Sequence, residues 1–238
     1  MKTAIEWTQS SWNPVTGCTK VSPGCQHCYA ERMARRLHAM GSRRYQNGFR
    51  LTLHPDQLDL PLRWAKPQMV FVNSMSDLFH PDVPLGFIRS VFDVMQRAPQ
   101  HTFQILTKRA RRLASLAPQL VWPPNVWMGA TVETQEYVWR INCLRQAPAG
   151  TRFVSLEPLL GMIRDLPLDG IGWVILGGES GPGARPMRAQ WAQTVRDQCV
   201  AAGVPFFFKQ WGGTQRKRAG RRLDGRLWDE YPIARCSA

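Results

Sequence analysis

Short apolar runs of strand-forming residues alternate with amphipathic helical segments along almost the whole chain, and that alternation leaves few folds open. The runs are Trp12 to Val15, Met69 to Asn73, Thr102 to Leu106, Val126 to Thr131, Arg152 to Leu156, Trp173 to Leu176 and Val204 to Phe208. Between them, 30–40 puts Ala30, Met33, Ala34, Leu37 and Met40 on one helical face and stops at Gly41, while 84–98 carries Phe87, Ile88, Val91 and Met95 with Asp82 as its expected N-cap. Segment 134–146 aligns Tyr137, Val138, Ile141 and Leu144, and 189–202 aligns Trp191, Val195 and Cys199 before Gly203. Strands separated in this way by helices pair in parallel through right-handed crossovers, and strands that are nearly all apolar are those covered by helices. Six or seven units in 238 residues predict an α/β fold, a single-domain partial (β/α)6-7 barrel, because a full eight-fold barrel typically needs about 250 residues. The barrel is expected over 1–211, with the polar stretch 41–66 wrapping its surface and 212–238 as a basic, mobile C-terminal extension.

The composition agrees with a packed domain: 10 Trp, 10 Phe and 4 Tyr need an interior, which excludes disorder as the main state. No apolar run reaches the roughly 18 to 20 residues of a membrane span, and the first residues lack the apolar core of a secretory signal, so a soluble cytoplasmic chain is expected. Thirty-one Lys and Arg against 17 Asp and Glu give a net charge of +14, and 25 of the cations are Arg. That balance favours a polyanionic partner, and nucleic acid is the partner it predicts. Three clusters would contact a phosphate backbone: Arg32, Arg35 and Arg36; Lys108, Arg109, Arg111 and Arg112; and Arg216, Lys217, Arg218, Arg221, Arg222 and Arg226.

Three of the six cysteines, Cys18, Cys25 and Cys28, fall within eleven residues directly after the first predicted strand and before the first predicted helix. A tight cluster in a chain of this kind points to metal rather than to a disulfide framework. Gly17 and Gly24 allow the loop to wrap closely, and Pro14 and Pro23 stiffen it. Three thiolates can hold three irons of a [4Fe-4S] cluster and leave the fourth open. They can also hold a structural zinc ion with His27, His38 or His54 as fourth ligand, in which case the chain is a non-catalytic nucleic-acid-binding protein. Cys143 and Cys199 lie on helical apolar faces and are expected to be buried as small hydrophobes.

The C-x6-C-x2-C loop after the first strand of a parallel barrel resembles that of the radical S-adenosylmethionine (radical SAM) enzymes, although the commonest loop there is C-x3-C-x2-C. The stretch from Trp7 to Glu31 is most similar to a phage- and bacteria-encoded family of radical-SAM-like proteins. The likeness continues through Ser155-Leu156-Glu157-Pro158, Gly177-Gly178-Glu179-Ser180-Gly181 and Lys209-Gln210-Trp211-Gly212. The resemblance implies a radical SAM type of barrel with a [4Fe-4S] cluster on Cys18, Cys25 and Cys28, S-adenosyl-L-methionine at its open iron, and an electron donor. It implies reductive cleavage of that cofactor to a 5′-deoxyadenosyl radical, acting on a substrate for which the charge suggests nucleic acid.

The same resemblance places cofactor contacts on the loops after successive strands: Ser74, Ser76 and Asp77, then Thr107 and Lys108, then Thr131 and Glu133, with Glu133 toward the ribose. The usual Gly-Gly-Glu is absent at the first of these places, and a helix N-cap series is the alternative there. Glu157 and Glu179 end apolar strands, where a barrel carries its chemistry, and Lys209 closes the last strand; these three are the catalytic candidates. An ordinary barrel hydrolase would use the same two carboxylates but leaves the cysteine loop without a purpose.

Overall fold

The computed structural model describes residue 3, residues 5–215 and residues 219–232. Its main sheet has seven parallel strands: β1 (Ser10–Trp12), β2 (Met69–Val72), β3 (Thr102–Thr107), β4 (Val126–Thr131), β5 (Thr151–Leu156), β6 (Trp173–Gly177) and β7 (Phe206–Gln210). They lie side by side in sequence order, so every crossover advances one strand in the same direction, and β1 and β7 do not pair. The crossovers carry α1 (Tyr29–Ala39), α2 (Leu85–Arg97), α3 (Ala110–Leu116), α4 (Trp139–Leu144) and α5 (Ala189–Ala201). Between β5 and β6 a helix-free loop takes the place of a helix, burying Leu159, Ile163, Leu166, Leu168 and Ile171 against the core.

The alternation of side chains along each strand makes two cores. Val70, Val72, Phe103, Ile105, Met128, Val154, Leu176, Phe206 and Phe208 point outward to the helices. Phe71, Leu106, Trp127, Phe153, Trp173, Ile175 and Phe207 point inward and surround Trp7. The Trp7 ring lies 4.7 Å from Phe71 on β2 and 6.2 Å from Trp173 on β6. A flat sheet would hold those strands about 19 Å apart, at about 4.8 Å per interval, so the sheet is curled into a half-barrel around Trp7. Gly129 makes the curl possible at β4, because a Cβ there would meet the Phe153 ring at 2.4 Å.

Several local expectations need correction. The first strand ends at Trp12 instead of running to Val15: Pro14 has no N–H for the sheet, and Val15–Thr16 turns away to pair antiparallel with Thr52–Leu53 inside the stretch expected to be irregular. Asp82 does not cap α2, which starts after Pro84, and its side chain is exposed. Cys199 is buried, whereas Cys143 is only half-buried. The expected extension is not separate from the barrel over 219–232. Leu223 and Trp228 enter the outer core, Phe208 N donates to Trp228 O at 2.8 Å, and Asp229 bridges antiparallel to Phe207. This covers the free edge of β7, which would otherwise present unpaired backbone groups. Arg216, Lys217 and Arg218 lie outside the described residues. Among the described residues no helix is long and apolar enough to cross a membrane.

Candidate functional site

Parallel strands in sequence order bring every strand-to-helix loop to one end of the half-barrel, and a cavity of about 370 Å³ opens there into the lumen. Cys18, Cys25 and Cys28 line it together with Ser74, Ser76, Asp77, Thr107, Lys108, Thr131, Glu157, Glu179 and Lys209. Its floor is apolar, built from Trp7, Phe71 and Leu106. Of the residues expected at the site, Glu133 alone does not line the cavity. It is fully buried, Arg140 Nη1 donates to its Oε2 at 2.7 Å, and Ser22 Oγ donates to its Oε1 at 2.5 Å.

The loop that carries the cysteines is held on three sides. On one, Asp77 accepts from Phe79 N and Thr107 Oγ1 on one oxygen and from Lys108 N and Arg109 Nη1 on the other. Arg109 reaches from this carboxylate to Thr19 O and Thr19 Oγ1, both at 2.9 Å, and to Cys18 Sγ at 3.4 Å. Beneath the loop, Ser22 rests on Glu133, whose side chain fills the space that a Cβ on Gly24 would need. On the other side, Glu179 accepts from Arg185 N, Nε and Nη2 and lies 3.0 Å from His27 Nδ1. Arg185 passes on to Pro23 O and Gln26 Oε1. Burial alone would raise the Glu179 carboxyl, but the Arg185 and His27 hydrogen bonds overcome it and hold the group at about 2.

Ser74 and Ser76 also point into the framework, donating to Asn13 Oδ1 and Val15 O. The pair that remains inside the lumen is Glu157 and Lys209: Lys209 Nζ lies 2.7 and 2.9 Å from the two Glu157 oxygens, bridging across β6 at Gly177, which has no side chain to intervene. Lys108 lines the cavity with no ion pair among the described residues.

The donor set fits a cluster. All three thiols are free, lie on one loop and line one cavity. Burial first, then the Asp77 carboxylate, push the Cys18 thiol up to about 11 against the pull of Arg109, so a metal has to replace its proton before it ligates. Among the described residues no three His, Cys, Asp or Glu converge as a bound metal ion requires. One ring nitrogen of His38 meets Tyr45 O and one of His54 meets Thr16 Oγ1, an arrangement that leaves the second nitrogen of each ring unassigned. Four buried polar atoms of cavity-lining residues have no partner among the described residues: Trp7 Nε1, Asn73 Nδ2, Thr131 Oγ1 and Gln210 Oε1. Each such atom costs about 1–3 kcal/mol when left dry, which suits a wall that meets a polar ligand.

Arg140 and Arg185 were not among the expected site residues, while Arg109 was expected only in a phosphate-contacting cluster and His27 only as a zinc ligand. Arg140 and Arg185 had a local signal, standing seven and six residues after a strand-end glutamate. The basic clusters are largely used internally: Arg32 donates to Ser180 O, Arg35 to Glu31, Arg112 to Val83 O, Arg221 to Asp229, Arg222 to Gly225 O and Arg226 to Glu230.

The half-barrel with a cysteine loop at the mouth of its lumen defines an α/β protein whose site lies at the strand ends. Residues 2–232 match the model of a family described as a protein of unknown function (DUF5131), and the chain belongs to that family. No curated protein sequence matches it. A solved structure of spore photoproduct lyase complexed with dinucleoside spore photoproduct is similar with a TM-score of 0.43 and 11% identity, over 77% of this chain and 58% of that one. The chain therefore spans less than two thirds of that protein's length.

Proposed function

We propose that the chain is a radical SAM enzyme. The observation that carries this reading is the placement of three free thiols, from one loop, on the wall of the cavity at the strand ends of a half-barrel. Cys18, Cys25 and Cys28 would hold a [4Fe-4S] cluster, with S-adenosyl-L-methionine in the cavity beside it. When bound, the cluster would supply one electron to the cofactor, whose C5′–S bond then breaks to give methionine and a 5′-deoxyadenosyl radical. Trp7, Asn73, Thr131 and Gln210 offer the unpartnered polar atoms that would meet bound polar groups, and Thr107 and Lys108 stand at the same mouth. Glu157 and Lys209 face the lumen and are the acid and base that a substrate would touch.

Nucleic acid is the substrate class we assign, on the net charge of +14 and on Arg36, Lys108 and Arg111, which carry no ion pair among the described residues. The reaction also needs a one-electron donor. Anaerobic isolation followed by iron and sulfide analysis tests the reading: about four irons per chain with broad absorption near about 400 nm are expected, lost when any of the three cysteines becomes Ala. Stoichiometric zinc without iron overturns it.

A further inference from the structure

The cysteine loop depends on groups that lie far from it in sequence, and the arrangement around Glu179 is the most complete of these. Its two oxygens accept three hydrogen bonds from Arg185 and face His27, which stands between Cys25 and Cys28. The far edge of the same guanidinium donates to Pro23 O at 2.9 Å and to Gln26 Oε1 at 3.2 Å. Pro23 O is also the acceptor for Gln26 N, the bond that closes the short turn at Cys25. The first helical turn is tied to the same segment, since Arg32 Nη2 donates to Ser180 O at 2.7 Å.

We propose that Glu179, Arg185 and His27 form a clasp that sets the turn from Ser22 to Cys28 in its ligand-holding arrangement before any metal is bound. Glu179 is then a positioning residue: its lone pairs are taken up by this contact set, in contrast to Glu157, whose side-chain partner among the described residues is Lys209 in the lumen. A planar, forked cation is required at 185 because one group must meet a carboxylate on one edge and a carbonyl and an amide oxygen on the other. The inference takes the cysteine loop as the metal-holding element from the proposed function, but its test does not need metal to be present.

The test is hydrogen–deuterium exchange of the full chain, as isolated and after chelation, in wild type, Arg185→Ala, Arg185→Lys and Glu179→Gln. Exchange at the amides of 22–28 should rise about tenfold or more in Arg185→Ala and Glu179→Gln, with the β3 amides unchanged. Arg185→Lys should resemble Arg185→Ala, because an ammonium cannot span both edges. If Arg185→Ala does not fold, Glu179→Gln, which keeps the shape and loses the charge, carries the same test. Exchange at 22–28 within twofold of wild type in the folded variants, or a rise shared equally with β3, overturns the clasp. A chain that shows the expected local rise but never takes up iron retains the clasp and loses the radical SAM reading.

Discussion

Glu133 and Arg140 form an ion pair at 2.7 Å with side chains 0% and 2% exposed, seven residues apart across the end of β4. The other Glu133 oxygen supports Ser22, and the Arg140 guanidinium also donates to Thr131 O at 2.8 Å and lies 4.3 Å from the Tyr137 ring centroid. A residue expected to meet a cofactor ribose is therefore a strut beneath the cysteine loop.

Removing one half of that strut leaves the other charge buried and unpaired. Glu133→Ala or Arg140→Ala should each cost about 3–5 kcal/mol, lowering the melting temperature by roughly 10 °C for a chain of this size. Thermal unfolding of the purified variants measures this. A shift under about 2 °C in both would contradict the strut.

Gly24 is the contact point between strut and loop. A Cβ there would sit 2.6 Å from Glu133 Cγ and Oε1, so Gly24→Ala must push the loop or the carboxylate aside. Overpacking of this kind costs about 1–3 kcal/mol, and the account expects iron uptake to fall while the circular dichroism spectrum is kept. Wild-type iron content in Gly24→Ala would mean that the loop is not gripped there.

The lumen pair behaves differently. Lys209→Met leaves the Glu157 carboxylate facing a largely apolar cavity, whereas the double variant Lys209→Met/Glu157→Gln removes both charges. A double-mutant cycle in urea, completed by Glu157→Gln alone, should show a coupling of about 1–3 kcal/mol, and all three variants should keep the chromophore because neither residue belongs to the cysteine loop. Additive effects would show that the pair is not formed.

Acid stability tests Glu179. Its carboxyl is held at about 2 in the fold against an ordinary value of 4.5, so the folded state releases this proton more readily than the unfolded chain. The contribution is present in full above about pH 4.5 and is lost as the pH falls toward 2, by up to about 3 kcal/mol. Metal-free wild type should lose stability over that window more steeply than metal-free Glu179→Gln. Parallel acid limbs for the two proteins would contradict the assignment.

The seven strands were legible because a parallel strand covered on both faces has to be apolar almost throughout, and β4 was readable to the residue. That Cys18, Cys25 and Cys28 share one loop between the first strand and the first helix was legible from their spacing and its setting. What spacing does not report is which acids at the strand ends are already satisfied. Asp77 and Arg109 are 32 residues apart and meet only because β2 and β3 are neighbours. The tail misled for a related reason: its arginines dominate the composition, whereas Leu223 and Trp228 decide its position.

The central claim is tested most directly by incubating anaerobically reconstituted wild type and the Cys18→Ala, Cys25→Ala and Cys28→Ala variants with S-adenosyl-L-methionine and dithionite, then measuring 5′-deoxyadenosine by chromatography. Slow cleavage without added substrate is expected in wild type and none in the three variants, with methionine formed in equal amount. A wild-type chain that holds four irons and sulfides yet yields no 5′-deoxyadenosine would contradict it.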